Sequence, residues 1–403
     1  MRYFKRFALI TFLLIPVVLE SGLIVNSFEA KSEPLISQND KALGINDVDR
    51  LTNQAELESE NGNYQQALDL LEQILAIKIR ILGDEHPDVA DTLNFQGTIY
   101  AEQDLFEKAE PLYLRALAIK EKTLDPEHQE IALILNNLGS FYLNKGLYEK
   151  AEPFLLRALA INEKALGAEH QDTGMTLQDL ANLYVEQGLY EKAEPLFLRA
   201  LAINEEVLGS DHQDTAIIIS DLAGLYFWQG LYEKAESLFL RALSITEKAL
   251  GPEHQNTGRH LHDLAYLYVE QGLYEKAKPL FLRALSITEK ALGPEKADTA
   301  TILGNLGMLY SYQGLYEKAE PLILRALAIR EKALGPEHPD TAISLNALAL
   351  IYSYQGLYEK AEPLYLRSLE ITEKAYGSKH EEVATSLGNL AGLYSDQGLY
   401  KKS

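Results

Sequence analysis

GLYEKAEPLFLRALAINE, residues 188–205, decides the fold, because the chain repeats it every 42 residues. Close copies begin at Gly146, Gly230, Gly272, Gly314 and Gly356. Divergent copies begin at Gly62 and Asp104, and a last one breaks off at Gly398. A period of roughly 20–50 residues marks a stacked array, in which each unit touches only its neighbours. Added length then adds units rather than cores, so 403 residues need not mean several domains.

Within one unit the apolar residues fall at helical spacing. Leu135, Leu138, Gly139 and Tyr142 mark a first helix, which Gly146 ends. Glycine takes the left-handed conformation at a helix end without steric cost. Tyr148, Ala151, Leu155, Ala158, Leu159 and Ile161 stripe a second helix that runs from Tyr148 to Leu166 and stops at Gly167. Asp172 is the expected N-cap of the next unit. Each repeat is thus a helical hairpin with one apolar stripe per helix, too little for a core of its own. Small residues at Gly139, Ala151 and Ala158 let stacked helices approach closely. Pro111, Pro153, Pro195, Pro279, Pro321 and Pro363 fall one turn into the second helix. They predict a slight bend or a late-starting helix, since proline lacks a donor and crowds the preceding turn.

These residues resemble the tetratricopeptide pattern W-x2-L-G-x2-Y, A-x3-F, P. Leu135 stands for the tryptophan, Leu155 for the phenylalanine and Glu163 for the terminal proline, while Leu138, Gly139, Tyr142 and Ala151 match directly. The 42-residue period and the loop LGPEHPDTA at Leu334–Ala342 are similar to the kinesin-light-chain subtype. The resemblance covers 46–398 and implies an all-α, right-handed superhelical solenoid of antiparallel helix hairpins. It also implies that first helices line a concave groove that binds protein or peptide. Kinesin function does not carry over, because that family's heavy-chain-binding coiled coil has no counterpart in these 403 residues.

Eight complete repeats are expected over 46–398, with a ninth first helix opening near Glu382 and 399–403 as the start of a further helix. Leu390 and Leu393 of that ninth helix are expected to lack a covering partner. This end should therefore self-associate, or belong to a longer protein. The N-terminus carries Arg2, Lys5 and Arg6 ahead of an apolar run from Phe7 to Leu19. That run is short for a membrane span and suits the core of a signal peptide. Residues 1–27 are read as a signal peptide or an uncleaved anchor, and 28–45 as a linker. The expected location is exported, periplasmic or secreted, or held at a membrane through that segment alone.

A formal charge of −22 repels a polyphosphate backbone, so nucleic acid is a poor partner. The absence of cysteine excludes disulfides, thiolate metal sites and cysteine nucleophiles. His86, His128, His170, His212, His254, His338 and His380 recur in the loop between units. Stacked helices lie about 8–10 Å apart whereas metal ligands need about 2 Å, so a loop or capping role is expected. An arginine ladder from Arg115 to Arg367 is expected to pair with helix carboxylates. No nucleotide, zinc-protease, serine-hydrolase or calcium-loop signature is present. His260, His262 and Asp263 lie close in sequence, but helical spacing puts the two histidines on different faces. No catalytic residue, cofactor or metal is expected.

Second helices are near-identical copies, whereas first helices vary, so variation marks the expected binding face. Asp179, Asp221 and Asp263 occupy equivalent sites in three successive repeats. Phe227 and Trp228 end one first helix, Tyr312 and Tyr354 are equivalent to Trp228, and Tyr266 lies one turn inside another. Asn136, Asn137 and Asn305, with Asn53, Asn346 and Asn389, supply amides for an extended peptide backbone. The reading is a non-catalytic scaffold that binds a protein or peptide along this strip. The alternatives are a self-assembling structural protein and the regulatory arm of a larger enzyme.

N-terminal sequencing and fractionation of the native protein should find residues 1 to about 27 removed or embedded in membrane. A soluble cytoplasmic product that begins at Met1 would refute the export reading.

Overall fold

The computed structural model describes residues 44–398, apart from Asp104 and Lys379. The proposed signal or anchor segment, nearly all of the linker and residues 399–403 lie outside the described residues. A short 3-10 turn at Ile45–Asp47 leads into the helices, and the described residues contain no strand. The helices come as consecutive antiparallel pairs. They are α1 (Val48–Glu60) with α2 (Tyr64–Leu82), α3 (Pro87–Glu102) with α4 (Phe106–Thr123), and α5 (Gln129–Asn144) with α6 (Tyr148–Ala165). Next come α7 (Gln171–Glu186) with α8 (Tyr190–Val207), α9 (Gln213–Trp228) with α10 (Tyr232–Ala249), and α11 (Gln255–Glu270) with α12 (Tyr274–Ala291). Then follow α13 (Ala297–Tyr312) with α14 (Tyr316–Ala333), α15 (Pro339–Tyr354) with α16 (Tyr358–Tyr376), and finally α17 (Glu381–Asp396). The all-α hairpin solenoid expected from the period is the fold that forms. Two compact units divide it, one with α1–α8 up to Leu208 and one with α9–α17 from Gly209.

The joints between elements follow from a few side chains. Gly146, at φ 69°, turns the chain between α5 and α6, a conformation other residues rarely adopt. Histidine, rather than the expected Asp172, caps the first helices. His170 sits at the N-cap and its Nδ1 accepts from the Asp172 backbone N–H at 3.2 Å. The arrangement recurs at His86, His128, His212, His254, His338 and His380. The imidazole ring nitrogen does the work of a capping oxygen two residues earlier than the sequence reading placed it. Thr173 then donates to the Gly167 carbonyl at 2.8 Å and closes the loop. The prolines do not delay the second helix, because α6 already starts at Tyr148 and runs through Pro153 to Ala165.

Stacking supplies the core. Leu135, Leu138, Ala151, Leu155 and Ala158 are fully buried. In α5, α7, α11, α15 and α17 a tyrosine near the end of the first helix reaches back to a glutamate of the preceding hairpin. Tyr142 donates to Glu110 at 2.7 Å, Tyr184 to Glu152 at 2.9 Å, and Tyr352 to Glu320 at 2.8 Å. A lysine then covers the ring, as Lys150 does over Tyr142 at 5.0 Å. On the outer edge the arginine ladder pairs as expected, with Arg283 to Glu247 at 2.6 Å and Arg367 to Glu331 at 2.7 Å. Such exposed pairs contribute about 0–1 kcal/mol each, so burial carries the stack.

The last helix departs from expectation. Leu393 is 2% exposed and Leu390 is also buried, packed with Leu348, Ala361 and Tyr365. The stripe of α17 faces the hairpin before it, so that hairpin alone covers both leucines. The residue left open is Leu387, at 48% exposure.

Two glycine substitutions separate packing from propensity. A Cβ at Gly139 would lie 2.5 Å from the Leu155 side chain, whereas one at Gly224 in α9 meets nothing within 4 Å. Overpacking at Gly139→Ala should cost about 1–3 kcal/mol, more than the helix gain of about 1 kcal/mol. Gly224→Ala should instead stabilise by up to about 1 kcal/mol. Urea unfolding of the two variants checks this, and equal midpoints would contradict it.

Candidate interaction surface

First helices of successive hairpins meet through polar side chains at a constant offset. In the unit that ends at Leu208, Asn137 Nδ2 donates to Asn94 Oδ1 at 2.9 Å. Asn136 Nδ2 donates to Asp179 Oδ2 at 2.8 Å, and Ser140 Oγ donates to the same oxygen at 2.6 Å. Asp179, Asn136 and Asn137 are all partly buried. These groups therefore act first as bonds between hairpins.

The unit from Gly209 builds a larger network on α9, α11 and α13. Ser220 Oγ lies 3.2 Å from His260 Nδ1 and 3.5 Å from Asp263 Oδ2. His262 Nδ1 lies 3.1 Å from Asp263 Oδ1, and Asn305 Nδ2 lies 2.8 Å from His262 Nε2. Together the last two contacts set the tautomer: Nδ1–H donates to the carboxylate and Nε2 accepts from the amide. All five side chains are buried, Asp263 at 7% exposure. Asp263 was expected on an exposed acidic row, and so the structure corrects it. The two histidines do point differently, yet each finds a partner, one on α9 and one on α13. Ser220 offers no surface at which a substrate carbonyl would reach its Oγ. Among the described residues no group of three or more metal-ligating side chains is assembled.

Burial shapes the charges here. His260 is pushed down to about 4 by burial, with Asp263 opposing and Arg259 adding to the shift. Burial works to raise Asp263, but the hydrogen bond from His262 and the charge of Arg259 hold its carboxyl below the ordinary value. His260 Nε2 has no hydrogen-bond partner.

The aromatic residues divide the same way. Phe227 and Tyr266 are buried against each other, centroids 5.5 Å apart, and the Tyr266 hydroxyl is unpartnered. With Asn305 they belong to the interior and correct the expectation of a groove contact. The period brought them into view because they neighbour exposed positions, not because they are exposed. Trp228, Tyr312 and Asp221 are partly buried, and Tyr354 is 50% exposed. Tyr312 stacks on Tyr274 at 6.3 Å, and Tyr354 packs on Tyr316 at 6.1 Å. Tyr274 and Tyr316 were missed because they open the invariant second helices. The signal for the polar bonds was also available. The bonded pairs are 43 residues apart, one more than the period. Aligning equivalent positions hides them.

A tetratricopeptide repeat family model matches residues 47–122, 130–206, 175–226, 214–290, 262–332, 298–374 and 346–403. Among solved structures, BtubC (BKLC) from P. vanneervenii is similar at 25% identity over 57% of this chain and 92% of its own, with a TM-score of 0.48. A putative kinesin light chain from Podosopora anserina with nearly identical TPR-like repeats shares 27% identity over 52% of this chain and 99% of its own, with a TM-score of 0.43. A Rap protein complexed with Competence and Sporulation Factor is 17% identical over 82% of this chain and 98% of its own, with a TM-score of 0.57, which shows the fold alone. No curated protein matches.

The buried histidine makes stability depend on pH. Between about pH 6.5 and 4 the unfolded chain holds a proton that folded His260 refuses, so stability should fall on acidification. The loss should reach about 3 kcal/mol across that window. His260→Gln keeps a polar partner for Ser220 and removes the titration. Glu186, raised to about 7 by burial, works in the opposite direction in both proteins and drops out of the comparison. Hydrogen-exchange protection in α11 should weaken more steeply with acid in the parent than in the variant, and parallel profiles would refute the assignment.

Proposed function

This chain belongs to the tetratricopeptide repeat family, and from that premise we propose that its first helices present a face that binds a protein or peptide. The family supports a protein–protein interaction scaffold. One observation carries the finer reading. The residue that ends the first helix is glutamate at Glu60, Glu102, Glu186 and Glu270, and changes to Asn144, Trp228, Tyr312, Tyr354 and Asp396 in the other hairpins. The exposed residue in the middle of each second helix stays leucine, from Leu114 through Leu198 and Leu282 to Leu366. The apolar part of the stack repeats from hairpin to hairpin, so it does not demand variation at this helix end. A partner that meets acidic side chains at some repeats and aromatic ones at others does. Aromatic residues anchor such contacts and acidic residues steer and select.

The constant exposed leucines favour a second reading, in which copies of the chain assemble through their second helices. Concentration-dependent sedimentation distinguishes the two. The proposed place of action is outside the cytoplasm or at a membrane face, on the strength of the basic and apolar N-terminal residues.

With a partner in hand, Trp228→Ala should weaken binding by about 2 kcal/mol or more. Asp221→Asn should mainly slow association and flatten its salt dependence. Ser286→Ala, at an exposed site on α12, serves as control. If both groove variants bind as tightly as the control, contact lies elsewhere.

A further inference from the structure

We propose that the strip formed by Tyr274 with Tyr312 and Tyr316 with Tyr354 takes a left-handed, polyproline-type peptide carrying a cationic side chain at every third residue. The inference rests on the groove reading above and adds the chemistry of the ligand.

Each rung joins the last residue of a first helix to the tyrosine that opens the second helix of the hairpin before it. The Tyr274–Tyr312 planes lie 27° apart and the Tyr316–Tyr354 planes 35° apart. Each pair thus forms a shelf of two rings rather than a lone side chain. The rungs repeat with the hairpins. Neighbouring first helices touch directly, as His262 of α11 and Asn305 of α13 do. Such contact sets helix axes about 8–10 Å apart, and we infer the same interval for rungs carried on the ends of those helices.

That interval selects a backbone. A polyproline II chain rises about 3.1 Å per residue with three residues per turn, so one face returns every ~9 Å. A β-strand returns to one face after about 6.6 Å, and an α-helix after about 5.4 Å. Only the first keeps step with the rungs while placing one side chain on each. It is also largely pre-ordered, and its prolines pack well on aromatic shelves.

Charge selects the third residue. Glu275 follows Tyr274 and Glu317 follows Tyr316, and both are exposed. Gln313 Nε2 donates to Glu275 Oε1 at 3.1 Å and holds that carboxylate beside the first rung. The lysines that come next turn away: Lys276 lies over the Tyr268 ring at 4.7 Å and Lys318 over Tyr310 at 5.9 Å. Glu270 and Asp396 end the first helices on either side. Burial first, and then the charge of Glu270, raise the Tyr312 hydroxyl, and Asp396 contributes likewise at Tyr354. Aromatic faces bordered by carboxylates attract a guanidinium or ammonium.

The test uses the full chain and synthetic peptides followed by fluorescence anisotropy. A peptide of repeated Pro-Pro-Arg triplets should bind about tenfold or more tighter than the same composition with irregular arginine spacing, and tighter than Gly-Ser-Arg triplets. Pro-Pro-Glu triplets should not bind measurably. Tyr354→Ala and Tyr312→Ala should each weaken Pro-Pro-Arg binding about fivefold or more, while Tyr312→Phe retains it. Glu275→Gln should weaken it and flatten its salt dependence. Equal affinity for regular and irregular spacing overturns the proposal, as does wild-type affinity in Tyr354→Ala, whose half-exposed site leaves folding intact. If Trp228→Ala weakens an identified partner while Pro-Pro-Arg triplets do not bind, this inference fails and the groove reading stands. If Trp228→Ala and Tyr354→Ala change the binding of neither, both fail.

Discussion

No hairpin of this chain can bury both of its apolar sides, and that deficit governs the rest. Leu135, Leu138 and Leu155 are sealed only when a neighbouring hairpin arrives. The interface has to be the same at each step, because each hairpin is flanked by near copies. Identity of the second helices follows from this. So does Gly139, which leaves room for Leu155, and so does the tyrosine that reaches back to a glutamate of the hairpin before it. The first helices are freed from the constraint along one side, and chemistry accumulates there.

Much of the fold was legible because the period averages out local ambiguity. Helix ends at Gly146 and Gly167, the apolar stripes and the arginine pairs all followed from spacing. The histidine ladder was read correctly as a loop or capping feature, but Asp172, two residues on, was taken for the N-cap because capping preferences favour side-chain oxygens. Of the two expected proline effects, the late start does not occur. A proline one turn into a helix removes a donor whose loss the surrounding stack tolerates, and α6 is continuous across Pro153.

The binding face was legible only in part. Comparing equivalent positions finds variation but cannot tell a side chain facing solvent from one facing the next hairpin. Trp228, Tyr312 and Tyr354 keep accessible surface, whereas Asp263, Asn305, Phe227 and Tyr266 turn into the stack. Burial depends on the one-residue stagger between neighbouring first helices, a tertiary quantity that the repeat length does not contain. Tyr274 and Tyr316 show the converse error, since constancy concealed two partly buried aromatic partners.

The staggered polar bonds bear on how the chain finds its order during folding. Near-identical hairpins present near-identical apolar surfaces, so a hairpin that docks one place too far along would bury almost the same area. Apolar contact alone would leave such slipped stacks close in energy to the native one. Asn136 with Asp179, Ser220 with Asp263, and His262 with Asn305 each occur at one junction only. In a stack slipped by one hairpin His262 would face Ala347 and Ser220 would face Asn305, whereas Asn136 would still meet an aspartate, Asp221. A buried donor or acceptor left without its mate costs about 1–3 kcal/mol. A handful of polar residues thereby serves as an address system, written on the interfaces that the repeats otherwise make interchangeable.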